Sequence, residues 1–425
     1  MKTRSISYPG IWFFQVALLT AIFLVVSCRE YEAPENNSQT VVNDDGLEPV
    51  WHQYFYSDRT ATSFIKPQLA GDYVAFCTKW RANNKPTGVR VFDKYSGIPH
   101  HAWTADPAIQ YWSGPVNAFV IAGADQDVIA ITDQLGLYAM DLNTANVRWI
   151  HNFGEIRGRT WLSILNGNII QGFGTWDQAD KWQAIGNFSA MTGKIKKELL
   201  ITDTEGYCLH MGKPAFATSA NNDTIAYFAM GMYNYDIMHE RGDIYAYNLS
   251  ADSLVWKIED IPSGVSRHLP AVSGNLVAYS CKDFIKCFDR ESGILVWDFE
   301  VKGAYECFEE IFYNNGSLYA KTRQEGIRAF SMDDGTLYWK DLSYDYFDGE
   351  IEEYNGYLFF YSCWKVYNQN KRRCGIICLD ETNGSRIGLA GFGSAFVIDR
   401  SNGLLFSSVA GELFCYDLNK WLYDK

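Results

Sequence analysis

Leu137-Tyr-Ala-Met-Asp-Leu-Asn-Thr-Ala-Asn-Val-Arg-Trp149 and Ile285-Lys-Cys-Phe-Asp-Arg-Glu-Ser-Gly-Ile-Leu-Val-Trp297 follow one pattern. An alternating apolar run reaches an Asp, a short polar turn follows, and a Trp closes the segment. Ile244 to Trp256 and Ile327 to Trp339 repeat it with Asn248 and Ser331 in the Asp place. Taking that place as an anchor, the chain carries eight: Asp93, Asp141, Ser189, Asn248, Asp289, Ser331, Asp380 and Asp417. Successive anchors are 48, 48, 59, 41, 42, 49 and 37 residues apart. Gly stands four residues after the anchor at Gly97, Gly193, Gly293, Gly335 and Gly384. Trp stands eight after it at Trp149, Trp256, Trp297 and Trp339.

The pattern is a hairpin. Period-two alternation before the anchor marks a strand with one buried face. Asp, Asn or Ser caps the turn through nearby backbone N–H groups, and Gly supplies positive φ. The Trp is on the return strand and is expected to pack on a neighbouring sheet. Two further strand-like runs precede each anchor, for example Ala271-Val272 and Leu276 to Tyr279. Four strands per unit at this period predict an all-β fold, a β-propeller of four-stranded blades.

The last repeat lacks its Trp strand before the chain ends at Lys425, whereas Val50-Trp51-His-Gln-Tyr-Phe55 is a Trp strand without a repeat. Placing Trp51 on the blade of Asp417 closes the ring and removes two open edges. This gives eight blades. Seven is the alternative if the irregular region from Ser189 to Cys208 does not form a full blade.

Composition agrees with this architecture. Of 425 residues, 47% are hydrophobic and 16% aromatic, a mix that favours strands. The net charge is −13, and −15 once the first 27 residues, with Lys2 and Arg4 and no acid, are set aside. Such a chain lacks the basic footprint of a nucleic-acid partner.

The N-terminus reads as a processing signal. Lys2 and Arg4 precede a nearly apolar run from Ile11 to Val26, short for a membrane span. Val25-Val26-Ser27-Cys28 resembles a bacterial lipobox. The resemblance implies cleavage before Cys28 and lipid on its thiol, with the protein held at a membrane, expected to be the outer one, facing periplasm or cell surface. The expected layout is a signal peptide at 1–27, a flexible tether at 28–47 and the propeller at 48–425.

The Ala-x-Asp-x-x-x-Gly-x-x-x-Trp repeat resembles the pyrroloquinoline-quinone (PQQ) type. Within that superfamily a lipid-anchored propeller without other domains is similar to the BamB family, a scaffold lipoprotein of the outer-membrane β-barrel assembly complex. The resemblance implies a non-enzymatic role, no cofactor, and a protein partner in the cell envelope. The quinoprotein dehydrogenases of the same superfamily hold their quinone with adjacent Cys residues, a calcium site and a catalytic Asp. This chain has no adjacent Cys pair, and its repeat Asp residues serve as turn caps. A surface lipoprotein that binds or processes carbohydrate is a further alternative.

Candidate site residues follow from the repeat. The second-to-third connections and the blade-to-blade connections share one face. Four of the former read as long and aromatic: Trp80 to Gly88, Phe173 to Trp182, Gly231 to Gly242 and Ser362 to Cys374. Trp80, Trp112, Trp176, Trp182, Tyr233, Tyr235, Trp364 and Tyr367 are the candidate partner-binding residues, of types that dominate binding hot spots. The competing reading is that these rings pack among themselves. A protein or a glycan would suit such a face.

Two acidic stretches, Glu306-Glu309-Glu310 and Glu350-Glu352-Glu353, fall near the inner strands of successive blades, with Lys213 and His268 at similar positions. They could form an acid/base pair, a cation site or a solvated channel lining. Cys287, Cys378 and Cys415 stand two before their anchors, where other repeats have Ala, and read as small buried residues. Cys363 and Cys374 flank a hairpin loop. A disulfide between them is one option that the sequence leaves open. The scattered His residues and the absence of paired CxxC motifs give no metal site.

Overall fold

Period-two alternation and the anchored turns build eight antiparallel sheets in the computed structural model. The structure describes residues 47–423 except 60–65, 78–87, 105–119, 123–127, 133–135, 145, 153–157, 175–181, 203–204, 206, 235, 263, 266–267, 282, 301–307, 323–325, 342–345, 366–371, 394 and 410. Cys28, the expected signal peptide and nearly all of the expected tether lie outside the described residues. No helix among the described residues is long and apolar enough to cross a membrane.

The sheets are sequential. Blades 1 to 7 span 68–104, 120–152, 158–202, 208–262, 271–300, 308–341 and 346–391. Blade 8 combines Ala395–Asp399, Leu404–Val409 and Glu412–Asp417 with Trp51–Tyr54. First strands touch between blades 2 and 3, through blades 4 to 8 in succession, and between blade 8 and blade 1. The ring is an eight-bladed β-propeller. The region from Ser189 to Cys208, which raised the seven-blade alternative, belongs to two complete blades. Blade 4 departs from four strands: its first strand is split into Cys208–Met211 and Ala215–Thr218, both paired with Thr224–Asn234.

The anchors behave as the sequence requires. Asp93 Oδ1 accepts from the Tyr95 and Ser96 N–H groups at 3.1 and 2.8 Å, and Asp289 Oδ1 from those of Glu291 and Ser292 at 3.2 and 2.8 Å. Local bonds of this kind bend the chain without help from the core.

Each repeat Trp serves the blade after its own. Across its own hairpin it pairs with the small residue two before the anchor: Ala139 with Trp149, Ala246 with Trp256, Cys287 with Trp297, Ala329 with Trp339 and Cys415 with Trp51. Its indole N–H then donates to the carbonyl just past the next blade's anchor: Trp149 to Ala190 at 2.9 Å, Trp256 to Arg290 at 2.8 Å, Trp297 to Met332 at 2.8 Å and Trp339 to Glu381 at 3.0 Å. Trp51 does the same to Lys94 of blade 1 at 3.0 Å, joining blade 8 to blade 1. Its ring lies on Gly97 (φ +68°), where a Cβ would sit 2.5 Å from the indole. Glycine is required there twice over, for the left-handed backbone and for the ring.

Blades 7 and 8 exchange these roles. Blade 7 has Gly388 in the Trp place. The C-terminal helix Leu418–Tyr423 puts Trp421 four residues after the Asp417 anchor, where five of the other repeats carry Gly. Trp421 is buried in the cluster formed by Cys378, Ala390 and Leu418. Asp417 caps this helix, its Oδ1 accepting from Lys420 N–H at 3.0 Å.

Cys287, Cys378 and Cys415 are fully buried free thiols, as the repeat alignment predicts. Burial pushes the Cys287 thiol up to about 12, which keeps it protonated and unreactive.

Candidate functional site

The acidic stretches occupy the first strands of blades 6 and 7, Phe308–Asn314 and Tyr346–Tyr354. Both strands slip register at their acids, between Phe308 and Glu310 and between Asp348 and Glu352. A bulge breaks the alternation and re-aims side chains. The consequence is a cluster joining four blades and the segment before blade 1. Lys66, just ahead of blade 1, bonds both Glu350 and Glu352. Lys213, at the split in the first strand of blade 4, reaches Glu350 across the ring at 3.7 Å. Arg400 of blade 8 stands 3.8 Å from Glu352. Buried Glu310 pairs with buried Lys321 at 3.4 Å and accepts from Ile351 N–H at 3.3 Å. Glu353 caps a turn, accepting from Gly356 N–H at 3.0 Å, and Glu306 lies outside the described residues.

The electrostatics follow from these contacts. Burial alone would raise Glu350, but Lys66 and Lys213 outweigh it and bring the carboxyl down to about 2. Burial opposes the Lys66 ammonium, yet Glu352 and Glu350 hold it well above the ordinary lysine range. Burial drives Glu310 in the other direction, upward, with Lys321 only partly compensating.

A calcium ion needs six to eight oxygen ligands. Here the carboxylates of blades 6 and 7 face ammonium groups, and no group of three or more His, Cys, Asp or Glu among the described residues is arranged to hold a metal. This donor set does not fit a calcium-held quinone. It is a neutralised polar lining of the channel. Lys66 was not legible as part of it, because it precedes the first repeat and no pattern marks it.

Two of the loops read as long are instead continued hairpins. In blade 4 the strands run on to Asn234 and restart at His239, pairing to the end. In blade 7 they run to Lys365 and restart at Arg372. Alternation persists past the buried length, so the ladder continues beyond the core. Cys374 is disulfide-bonded, and the ladder sets Cys363 directly opposite it.

Of the eight candidate binding residues, Trp80, Trp112, Trp176, Tyr235 and Tyr367 lie outside the described residues. Trp364 lies on strand Tyr357–Lys365, opposite Arg373. Trp182 is half-buried and packs against the core shared by blades 2 and 3. Tyr233 is half-buried near the tip of the blade 4 hairpin, its hydroxyl 3.2 Å from Met238 Sδ. That tip exposes Ile237 by 66% and Met238 by 74%. Below it, Arg241 stacks on Tyr207 at 4.4 Å and pairs with Glu205 at 3.1 Å and Asp260 at 2.8 Å. Tyr207 OH bonds His239 Nδ1 at 2.9 Å. The polar base steadies an apolar tip. Sequence reasoning chose aromatics and passed over Ile237 and Met238, although two apolar residues at a hairpin turn were a visible signal.

Residues 240–345 match a family model described as outer membrane protein assembly factor BamB. BamB from Moraxella catarrhalis superposes with a TM-score of 0.58 at 14% identity, covering 87% of this chain and 99% of its own. Quinohemoprotein alcohol dehydrogenase from Comamonas testosteroni gives 0.62 at 12% identity, over 88% and 77%. The computationally designed Ika8 protein gives 0.59 at 12%, over 84% and 96%. At these identities the likeness is one of fold, that of the PQQ-type propellers. No curated protein sequence matches the chain.

Proposed function

We propose that this chain is a non-catalytic propeller scaffold of the bacterial cell envelope, anchored by lipid on Cys28, that docks a protein partner on the face of the second-to-third loops. The observation that carries the reading is the state of the channel acids. Glu350 and Glu352 are both engaged by Lys66, so these two carboxylates are committed to ion pairs, and Glu310 is buried against Lys321 and the Ile351 N–H. A general base or a cation site needs a carboxylate with free oxygens. The family-model match over 240–345 supports an envelope partner, of the kind that assembles outer-membrane β-barrels. The exposed Ile237 and Met238 supply an apolar anchor beside charged Arg241, a combination suited to a protein hot spot.

A photo-crosslinking residue at position 238 tests the docking face in living cells. The expected result is one dominant envelope protein cross-linked there, lost when Ile237→Asp is added. Cross-links no stronger than those from outer-strand position 296 would overturn the docking face. Mass spectrometry of the membrane fraction tests the anchor. The mature chain should begin at an acylated Cys28, and an unmodified Cys28 refutes the anchor.

A further inference from the structure

We propose that Met238, at the tip of the blade 4 hairpin, is a site of reversible oxidation, where a peroxide delivers oxygen to the sulfur lone pair that Tyr233 leaves free and so turns the apolar tip polar. The consequence, loss of docking, rests on the docking face proposed above. The oxidation site itself stands on the geometry of the hairpin.

The methionines of this chain divide by burial. Met140, Met211, Met230, Met232 and Met332 are buried among core residues. Met191 is exposed at the anchor turn of blade 3, on the opposite face, and its sulfur accepts from Arg148 Nη1 at 3.4 Å. Met238 is the only exposed methionine on the docking face among the described residues. Oxidation of methionine follows exposure, so the fold protects five sulfurs and presents this one beside Ile237.

The turn does not ask for a methionine. Asn234 Oδ1 accepts from the Asp236 and Ile237 N–H groups at 3.0 and 3.3 Å and bends the tip by itself. Met238 then sits at φ +52°, a left-handed conformation in which Gly or Asn is the ordinary choice. At 74% exposure its side chain fills no core. What the side chain does have is a hydrogen bond from the Tyr233 hydroxyl to its sulfur at 3.2 Å. A thioether sulfur carries two lone pairs, and this bond occupies one. The other attacks a peroxide oxygen. The O–O bond breaks, and the hydrogen on the transferred oxygen passes to the leaving hydroxide to give water. Sulfur is oxidised by two electrons and the peroxide is reduced. Attack through a single lone pair favours one sulfoxide epimer. The product is polar and chiral, and a stereospecific reductase returns it to the thioether.

Hydrogen peroxide added to the purified full mature chain, with peptide mass spectrometry of each methionine over time, tests the site. Met238 should oxidise roughly tenfold faster than any buried methionine. One of the two epimer-specific sulfoxide reductases should restore most of Met238, and Tyr233→Phe should bring the two enzymes to equal yields. Oxidation of Met238 no faster than that of the buried methionines, or equal epimers in the wild type, would overturn the proposal. A photo-crosslinking residue at exposed position 236, irradiated in isolated envelopes, tests the consequence. Peroxide should cut the cross-link several-fold, reductase treatment should restore it, and Met191→Leu should show the same loss. A cross-link unchanged after complete oxidation of Met238 would overturn its control of docking. If no cross-link forms even before peroxide, the docking face is refuted, and the mass spectra still decide the oxidation site.

Discussion

Trp51 donates its indole N–H to the Lys94 carbonyl at 3.0 Å, and the Lys94 side chain pairs with Asp399 at 2.9 Å. The first contact joins the N-terminal strand of blade 8 to blade 1, and the second joins blade 1 to the first strand of blade 8. One residue of blade 1 therefore receives both halves of a composite blade. The ring is closed by an indole and by an ion pair whose side chains are each only 8% exposed.

Removing the indole should open this seam. Trp51→Ala loses a buried ring and its donor, and large-to-small changes of this kind cost about 3–5 kcal/mol. Melting should shift down by several degrees, and hydrogen exchange should rise first along Glu412–Asp417, which pairs with Trp51–Tyr54. A chain truncated through Phe55 that melts with the full mature chain would contradict the closure.

Asp399 should make stability depend on acid. Burial would raise its carboxyl, but hydrogen bonds from Lys94, Ser401 and Asn402 bring it down to about 2. An unfolded Asp titrates near 3.9. The depressed group contributes stability that is present above about pH 4 and is lost as pH falls toward 2, on the order of 2 kcal/mol. Asp399→Asn should flatten that part of the profile. At neutral pH it should cost about 3 kcal/mol or more, since Lys94 keeps a buried charge without its counter-charge. Urea melts of both proteins from pH 2 to 7 measure this.

Lys66 holds two carboxylates apart from any cation. Lys66→Met should leave Glu350 and Glu352 as an acid pair with Lys213, Arg400 and His268 near them. The variant should bind calcium or terbium measurably, and the wild type should not. Terbium luminescence reads the difference, and equal signals would show that Lys66 does not govern the site.

Gly97→Ala and Gly167→Ala compare one backbone strain with and without a ring. Both glycines have φ +68°, but a Cβ at Gly167 meets nothing within 4 Å. Left-handed alanine alone costs about 1 kcal/mol. Gly97→Ala should cost clearly more, because Trp51 must move. Equal melting temperatures would show that the indole yields freely.

Much of the site was illegible for a physical reason. The acids of blades 6 and 7 announced a polar channel and Lys213 stood at a matching blade start, but Lys66, which bonds both Glu350 and Glu352, precedes the first repeat and carries no motif. Trp182 has the composition of a hot spot, yet packs beside a core, because burial depends on what the neighbouring blade presents. Ile237 and Met238 stand out only because the hairpin extends past the core.

The sequence by itself determined the blade. Alternation, a capping Asp, a turn Gly and a returning Trp act within thirteen residues, so local hydrogen bonds and strand pairing express them whatever surrounds them. It also pointed to the closing strand, since the Trp51 strand has no hairpin of its own and the Asp417 hairpin has no following strand, while the choice of eight blades over seven waited for the region from Ser189 to Cys208 to be placed in two complete blades. Packing of each Trp on a neighbouring sheet was expected, but tertiary structure alone decided which carbonyl receives its indole N–H. The indole is read by the next blade, about forty residues away, and the exchange of Gly388 with Trp421 exists only when two blades meet. Local bonds carry no information about that meeting. It is set by ring closure, which brings Lys94 and Asp399 together from opposite ends of the chain.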